Sequence, residues 1–242
     1  MAIDTNRTVG SIAAEIPGST TVLEKLKIDY CCGGGSSIKD ACLGAGVDPE
    51  ELVRRIEEAG QADPEDQTMQ QKTLAELVAY IVDKHHTFTR TELARVDELA
   101  AKVRAAHGQN HPETLKIEAI FQSLRQELTT HMLKEEQVLF PYITKMEEAV
   151  SSDKPVPTPF FGTVQNPVRM MMMEHDGAGE ALREMRALSA DDAVPSDGCA
   201  TFQTLYHALR ELEADLHRHI HLENNILFPR AIAMETSGGG RG

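Results

Sequence analysis

Two eleven-residue stretches, HMLKEEQVLFP at 131–141 and HIHLENNILFP at 219–229, decide how this chain is read. They lie 88 residues apart and agree at five of eleven positions: His131 matches His219, Glu135 matches Glu223, and Leu-Phe-Pro closes both. One helical turn rises about 5.4 Å, so a His and a Glu four residues apart share a helix face and can converge on one point. Each stretch is therefore half of a metal site. Upstream segments echo the pairing. KHHTFTRTEL places His86 45 residues before His131, and MEHDGAGEAL places His175 44 residues before His219. Two helical hairpins thus each offer one His plus His-x-x-x-Glu, and folding them face to face collects four imidazoles and two carboxylates.

The surrounding apolar pattern supplies the helices. Leu74, Leu77, Val78, Ile81, Val82, Leu93, Val96, Leu99 and Val103 recur at three- and four-residue steps up to Gly108. Pro112 opens a second helix carrying Leu115, Ile120, Phe121, Leu124, Leu128, Val138 and Leu139, because proline suits a first turn whose N–H would be unbonded anyway. A Pro/Ser/Asp-rich stretch at 151–158 precedes a third helix, from Pro167 to about Leu188; a fourth runs from around Ser196 through Phe202, Leu209, Leu216 and Ile226. Four long helices with no strand-length alternation predict an all-α four-helix bundle. In front, short apolar bursts punctuated by Gly, Pro and Ser predict a small helical unit. The expected domains are a small helical domain over 1–62, a linker over 63–71, the bundle over 72–235 and a disordered tail over 236–242.

Composition narrows the function classes. The 242 residues are 41% hydrophobic, enough for a packed core. With 24 Lys plus Arg against 38 Asp plus Glu, the net charge is −14, and no basic cluster interrupts that field. Nucleic acid and anionic membranes are poor partners for such a surface. No run of 18 apolar residues suits a membrane span, and the first residues lack a basic start followed by an apolar block. Four cysteines, two of them adjacent, do not form the framework of a disulfide-stapled secreted domain. The expectation is a cytoplasmic protein with reduced thiols.

Six ligands, His86, His131, Glu135, His175, His219 and Glu223, exceed the needs of one tetrahedral zinc, and their nitrogen–oxygen blend disfavours calcium and magnesium. Two metal ions follow. Glu135 and Glu223 are the natural bridges, two histidines cap each ion, and a coordination position is left for a small ligand. The imidazole-rich shell favours iron over manganese. Charge buried beside Leu128, Val138, Leu216 and Ile226 is costly unless a cation neutralises it. Glu127 lies one turn before His131 and Glu174 directly precedes His175, so both are candidates to orient a ligand or accept protons. Histidines 85, 107, 111, 207, 217 and 221 are expected in surface or helix-end roles, and Met170 to Met173 in the core and on the helix surface. Cys31 and Cys32 sit on a glycine loop, DYCCGGG, with two readings left open: redox or metal-handling thiols, or small side chains packed in a tight turn. Cys42 and Cys199 are expected to be buried helix residues.

Taken together, DYCCGG, the His86 helix, HMLKEEQVLFP, MEHDGAGE and HIHLENNILFP resemble the RIC (repair of iron centres) family over nearly the whole chain. The resemblance implies a hemerythrin-like four-helix bundle with an oxo- and carboxylate-bridged centre of two iron ions on the same six residues. It implies repair of iron–sulfur clusters damaged by nitrosative or oxidative stress, with the damaged iron–sulfur proteins as clients and iron passed on from a labile centre, Cys31 and Cys32 assisting. Two alternatives accompany it: binding and reduction of nitric oxide (NO) to nitrous oxide, and an O₂ or redox sensor. Oxygen-carrying hemerythrins use five His with an Asp and a Glu, so the four His and two Glu here argue against reversible O₂ carriage. The N-terminal unit buries little core by itself and is expected to dock on the bundle or on a second copy, giving a homodimer.

Overall fold

The computed structural model describes residues 3–16, 18–59 and 64–238. Among these the regular structure is helical, and the one β-type contact is an isolated bridge between Thr8 and Ser37. The chain divides into two compact units. One gathers 1–79, 141–168 and 217–242; the other gathers 80–140 and 169–216.

The second unit holds the four long helices that the apolar stripes predicted. These are α7 (Thr87–His107), α8 (Glu113–Lys134), residues 169–188 of α10 (Gln165–Leu188) and residues 200–216 of α11 (Ala200–His221). Their seam is Leu93, Val96 and Val103 against Phe121, Leu124 and Leu128, completed by Leu182, Met185, Phe202, Leu205 and Leu212. Phe121 is fully enclosed, so truncating it to alanine would cost about 3–5 kcal/mol through lost transfer energy and the cavity left behind.

The first unit begins with short helices, α1 (Val9–Glu15), α2 (Ser19–Lys25), α3 (Ile38–Ala45) and α4 (Pro49–Ala59), around Ile12, Leu23, Ile38, Leu52 and Ile56. Their ends are capped locally. The Thr8 hydroxyl accepts from the Ser11 N–H, Ser37 accepts from Asp40, and Gly46 closes α3 at φ +66°, a left-handed conformation that glycine adopts without steric cost. Of the expected linker over 63–71, Pro64–Gln71 forms helix α5, and 63 lies outside the described residues. Helices α6 (Leu74–Tyr80), α9 (Phe140–Ser151) and α12 (Phe228–Gly238) follow. Within this unit the Glu147 carboxylate accepts from the Leu74 and Ala75 N–H groups at 2.7 and 2.8 Å, capping the start of α6 with a negative charge. Of the expected tail, 236–238 belong to α12 and 239–242 lie outside the described residues.

Three widened π turns interrupt the long helices, at Ile81–His86, Glu135–Leu139 and Leu222–Leu227. Each contains a predicted metal ligand: His86, Glu135 or Glu223. The second and third directly precede Phe140-Pro141 and Phe228-Pro229. Proline inside a helix has no N–H to donate and clashes with the carbonyl four residues back, so a wider turn just before it relieves both problems.

Candidate metal centre

In the bundle unit, α7, α8 and α10 with their π turns bring four ionisable side chains to one buried locus. His86 and Glu135 are fully buried, His175 is 1% exposed and His131 is 3% exposed. His86 Nε2 stands 3.4 Å from Glu135 Oε2, and His131 Nε2 stands 3.3 Å from Glu135 Oε1. His131 Nε2 and His175 Nε2 are 3.0 Å apart. His131, Glu135 and His175 each present a donor atom within 4.8 Å of the others.

The outer faces of two of the rings are fixed. His86 Nδ1 pairs with Glu136 at 2.6 Å and His131 Nδ1 pairs with Glu174 at 2.8 Å. Each carboxylate accepts the Nδ1 proton, which leaves the Nε2 lone pair turned inward, the arrangement of a metal-ligating imidazole. Arg90 and Lys134 complete these carboxylates, Arg90 at 2.7 Å from Glu136 and Lys134 against Glu174. Burial works to raise both carboxyl groups, but hydrogen bonds from His86 and Arg90, and from Lys134 and His131, outweigh it and hold both below the ordinary range. The Phe140 ring stacks on His86 at 5.7 Å, so the phenylalanine of the repeated Leu-Phe-Pro sets that ring's plane.

The first unit carries the matching pair. His219 is 2% exposed, Glu223 is fully buried, and His219 Nε2 stands 3.1 Å from Glu223 Oε1. Neighbouring ligands on an ion with bonds near 2.1 Å stand about 3 Å apart, so the separations in both units suit donors gathered around cations. A dry carboxylate ringed by imidazole lone pairs is otherwise costly, by several kcal/mol for an ion without a counter-charge. The donor sets therefore fit a metal, and His/Glu clusters able to bind one are present in the structure.

The thiol loop belongs to the same unit as His219 and Glu223. Cys31 is buried, Cys32 half-buried, and the Cys31 thiol donates to the Cys32 sulfur at 3.8 Å with no disulfide between them. Asp29 Oδ1 accepts from the Cys31 and Cys32 N–H groups at 3.1 and 3.0 Å. Hydrogen bonding with Cys32, followed by burial, pushes the Cys31 thiol well up. The π turn that carries Glu223 also holds this loop. Asn224 Nδ2 donates to the Cys31 carbonyl at 3.2 Å, Asn225 Nδ2 donates to the Tyr30 carbonyl at 2.9 Å, and His221 meets the Tyr30 ring edge-on at 5.4 Å. A Cβ on Gly34 would lie 2.7 Å from the Tyr30 carbonyl, so this close approach requires glycine.

Several expectations change. His85, expected at the surface, is fully buried and bonded to Asp215 at 2.9 Å; His221 is 3% exposed. Inside a π turn each residue advances less around the axis than in an α-helix, so adjacent His85 and His86 both remain inside. Cys199, expected to be buried, is exposed just before α11. Glu127 is exposed and accepts from Ser123 at 2.8 Å, whereas Glu174 contacts His131 directly. Sequence reasoning missed Glu136. Among the described residues, no helix is long and apolar enough to cross a membrane.

Comparisons with known proteins cover most of the chain. Residues 77–231 match a family model described as the hemerythrin HHE cation binding domain, and residues 5–60 match a domain of unknown function, DUF542. The probable iron-sulfur cluster repair protein of Haemophilus influenzae is 32% identical over 93% of this chain and 96% of that protein. The iron-sulfur cluster repair protein YtfE of Yersinia pseudotuberculosis is 32% identical over 95% and 98%, and ScdA of Staphylococcus haemolyticus, named likewise, is 30% identical over 91% and 95%. The chain belongs to the hemerythrin HHE cation binding domain family, in its all-α form with a small helical region in front.

Proposed function

We propose that this protein repairs damaged iron–sulfur clusters in the cytoplasm, with His86, His131, Glu135, His175, His219 and Glu223 together holding two iron ions. The observation that carries the reading is the buried set of inward-facing imidazoles around Glu135, with Glu136 and Glu174 fixing the outer nitrogens of His86 and His131. The names of the full-length relatives supply the client class, iron–sulfur proteins. Iron held there would supply redox chemistry and an exchangeable ion, so on this reading iron is also the cargo. Glu135 and Glu223 would be the carboxylates shared by the two ions, and the duplicated His-x-x-x-Glu pattern supports that symmetry. Cys31 and Cys32, with Asp29, present donor atoms within 4.8 Å of one another on a loop tied to the turn bearing Glu223; they are the proposed carriers of outgoing iron.

The test is anaerobic incubation of the iron-loaded protein with a nitrosylated iron–sulfur enzyme and a reductant. Recovery of cluster absorbance in step with iron lost from the protein, and its absence with Glu135→Gln, is the expected result. Cluster recovery with no iron leaving the protein contradicts iron donation.

A second reading has its own observation. A cavity of about 550 Å³ in the bundle unit, lined by Thr130, Lys134, Gly177 and Ala178, reaches His131 and His175, giving a small ligand an approach to the centre. Nitric oxide reduction at the iron pair predicts repeated release of nitrous oxide into the headspace, which iron donation alone does not.

A further inference from the structure

A second cluster of titratable groups lies in the bundle unit away from the ligands described above. His107 ends α7 and Cys199 stands immediately before α11, with Cys199 Sγ 3.2 Å from His107 Nε2. The His107 ring packs edge-on against Phe202 and against His111, at 5.3 and 6.1 Å. His111 is in turn held between Glu113 and Asp197, each at 2.9 Å. The ionisable group against the thiol is therefore His107, with His111 from the α7–α8 turn, Glu113 from the start of α8 and Asp197 from the approach to α11 linked behind it. The sulfur is exposed, and it is the single cysteine among residues 80–140 and 169–216.

We propose that Cys199 and His107 form a thiolate–imidazolium pair that makes Cys199 a site of oxidation by hydroperoxides. The imidazolium N–H donates to the sulfur, and the first N–H groups of α11 face the same negative charge. Hydrogen bonding from His107, followed by the Phe202 N–H, brings the thiol down to about 7. A free cysteine titrates near 8.5, so about half of Cys199 is thiolate at neutral pH against a few per cent of an ordinary thiol. In the reaction the sulfur attacks one peroxide oxygen and the O–O bond breaks. The departing hydroxide, or the alkoxide of an organic hydroperoxide, takes the Nε2 proton of His107 and leaves as water or alcohol. Sulfur is oxidised by two electrons to sulfenic acid, and the peroxide is reduced. A low-molecular-weight thiol then condenses with the sulfenic acid, forming a mixed disulfide and releasing water. The acidic neighbours Glu113 and Asp197 favour a small neutral oxidant over an anionic disulfide. This site does not depend on the metal reading.

The test follows iodoacetamide labelling of Cys199 across pH in the full-length, iron-loaded protein, read by peptide mass spectrometry. The expected midpoint is near 7. In His107→Gln it should move above 8, with labelling at pH 7 slowed about fourfold, because the thiolate fraction falls about sixteenfold while each remaining thiolate is more nucleophilic. Hydrogen peroxide followed by dimedone should tag Cys199 in the native protein and tag it several-fold more slowly in the variant. A native midpoint at 8.5 or above overturns the proposal, and that measurement needs no variant to fold. An unmoved midpoint in His107→Gln, or no dimedone adduct at Cys199, also overturns it.

Discussion

The two copies of the repeated motif keep the same proposed ligands and the closing Leu-Phe-Pro, and diverge at the positions between them. In the first copy, Glu136 follows the proposed ligand Glu135 and accepts the Nδ1 proton of His86. In the second, Asn224 follows the proposed ligand Glu223 and donates to the backbone of Cys31. Leu133 of the first copy is 44% exposed, whereas its counterpart His221 is 3% exposed and meets Tyr30. One position before the upstream ligands, buried His85 bonds Asp215, while its counterpart Glu174 is half-buried and bonds His131 and Lys134. The four-residue spacing and Leu-Phe-Pro are what a ligand pair on a widened turn requires. The positions between them are free to specialise, toward tuning imidazoles in one copy and toward holding the thiol loop in the other.

If the copies contribute equal bridges, Glu135→Gln and Glu223→Gln should each cut bound iron from two ions per chain to fewer than one while helical circular dichroism is unchanged, since a neutral amide bridges poorly. Full iron content in both variants breaks the symmetry argument. His85→Ala removes a buried ring and leaves Asp215 without this bond, a loss of about 2–3 kcal/mol. For a chain of this size that lowers Tm by roughly 4–12 °C in a thermal melt. A Tm within 1 °C of the parent would return His85 to the incidental role its sequence position suggested.

The remaining pair separates the two specialisations. Glu136→Gln should weaken iron binding about 10- to 100-fold, as measured by chelator competition, with thiol labelling unchanged. Asn225→Ala should do the reverse. Of the two hydrogen bonds Asn225 Nδ2 makes, to the Tyr30 carbonyl and to His221 Nδ1, the first holds the thiol loop, and its loss, about 1 kcal/mol, makes opening of that loop roughly fivefold more frequent, so Cys31 alkylation accelerates by that factor while iron content holds. If either variant moves both readouts equally, the division between the copies is not real.

What the sequence made legible follows from periodicity. Apolar residues at three- and four-residue steps, such as Leu93–Val96 and Leu205–Leu209–Leu212, are enough to read the long helices. His131 with Glu135, and His219 with Glu223, are read by the same spacing argument. The π turns were not visible to that argument because it assumes a constant advance per residue; Pro141 and Pro229 were the available signal. From this one error came the misplacement of His85. Glu136 was passed over because a single-helix reading cannot show which residue of another helix, here His86, meets it. Cys199 was misread because a helix start that leaves its first side chain exposed looks, in sequence, like a helix interior.

The central proposal is that the two His-x-x-x-Glu pairs, with His86 and His175, hold one pair of iron ions. Elemental analysis combined with ⁵⁷Fe Mössbauer spectroscopy on the full-length protein tests it most directly. Two irons per chain in a single magnetically coupled pair with no net spin is the predicted result. One iron per chain, or two irons with independent paramagnetic signatures, would contradict it.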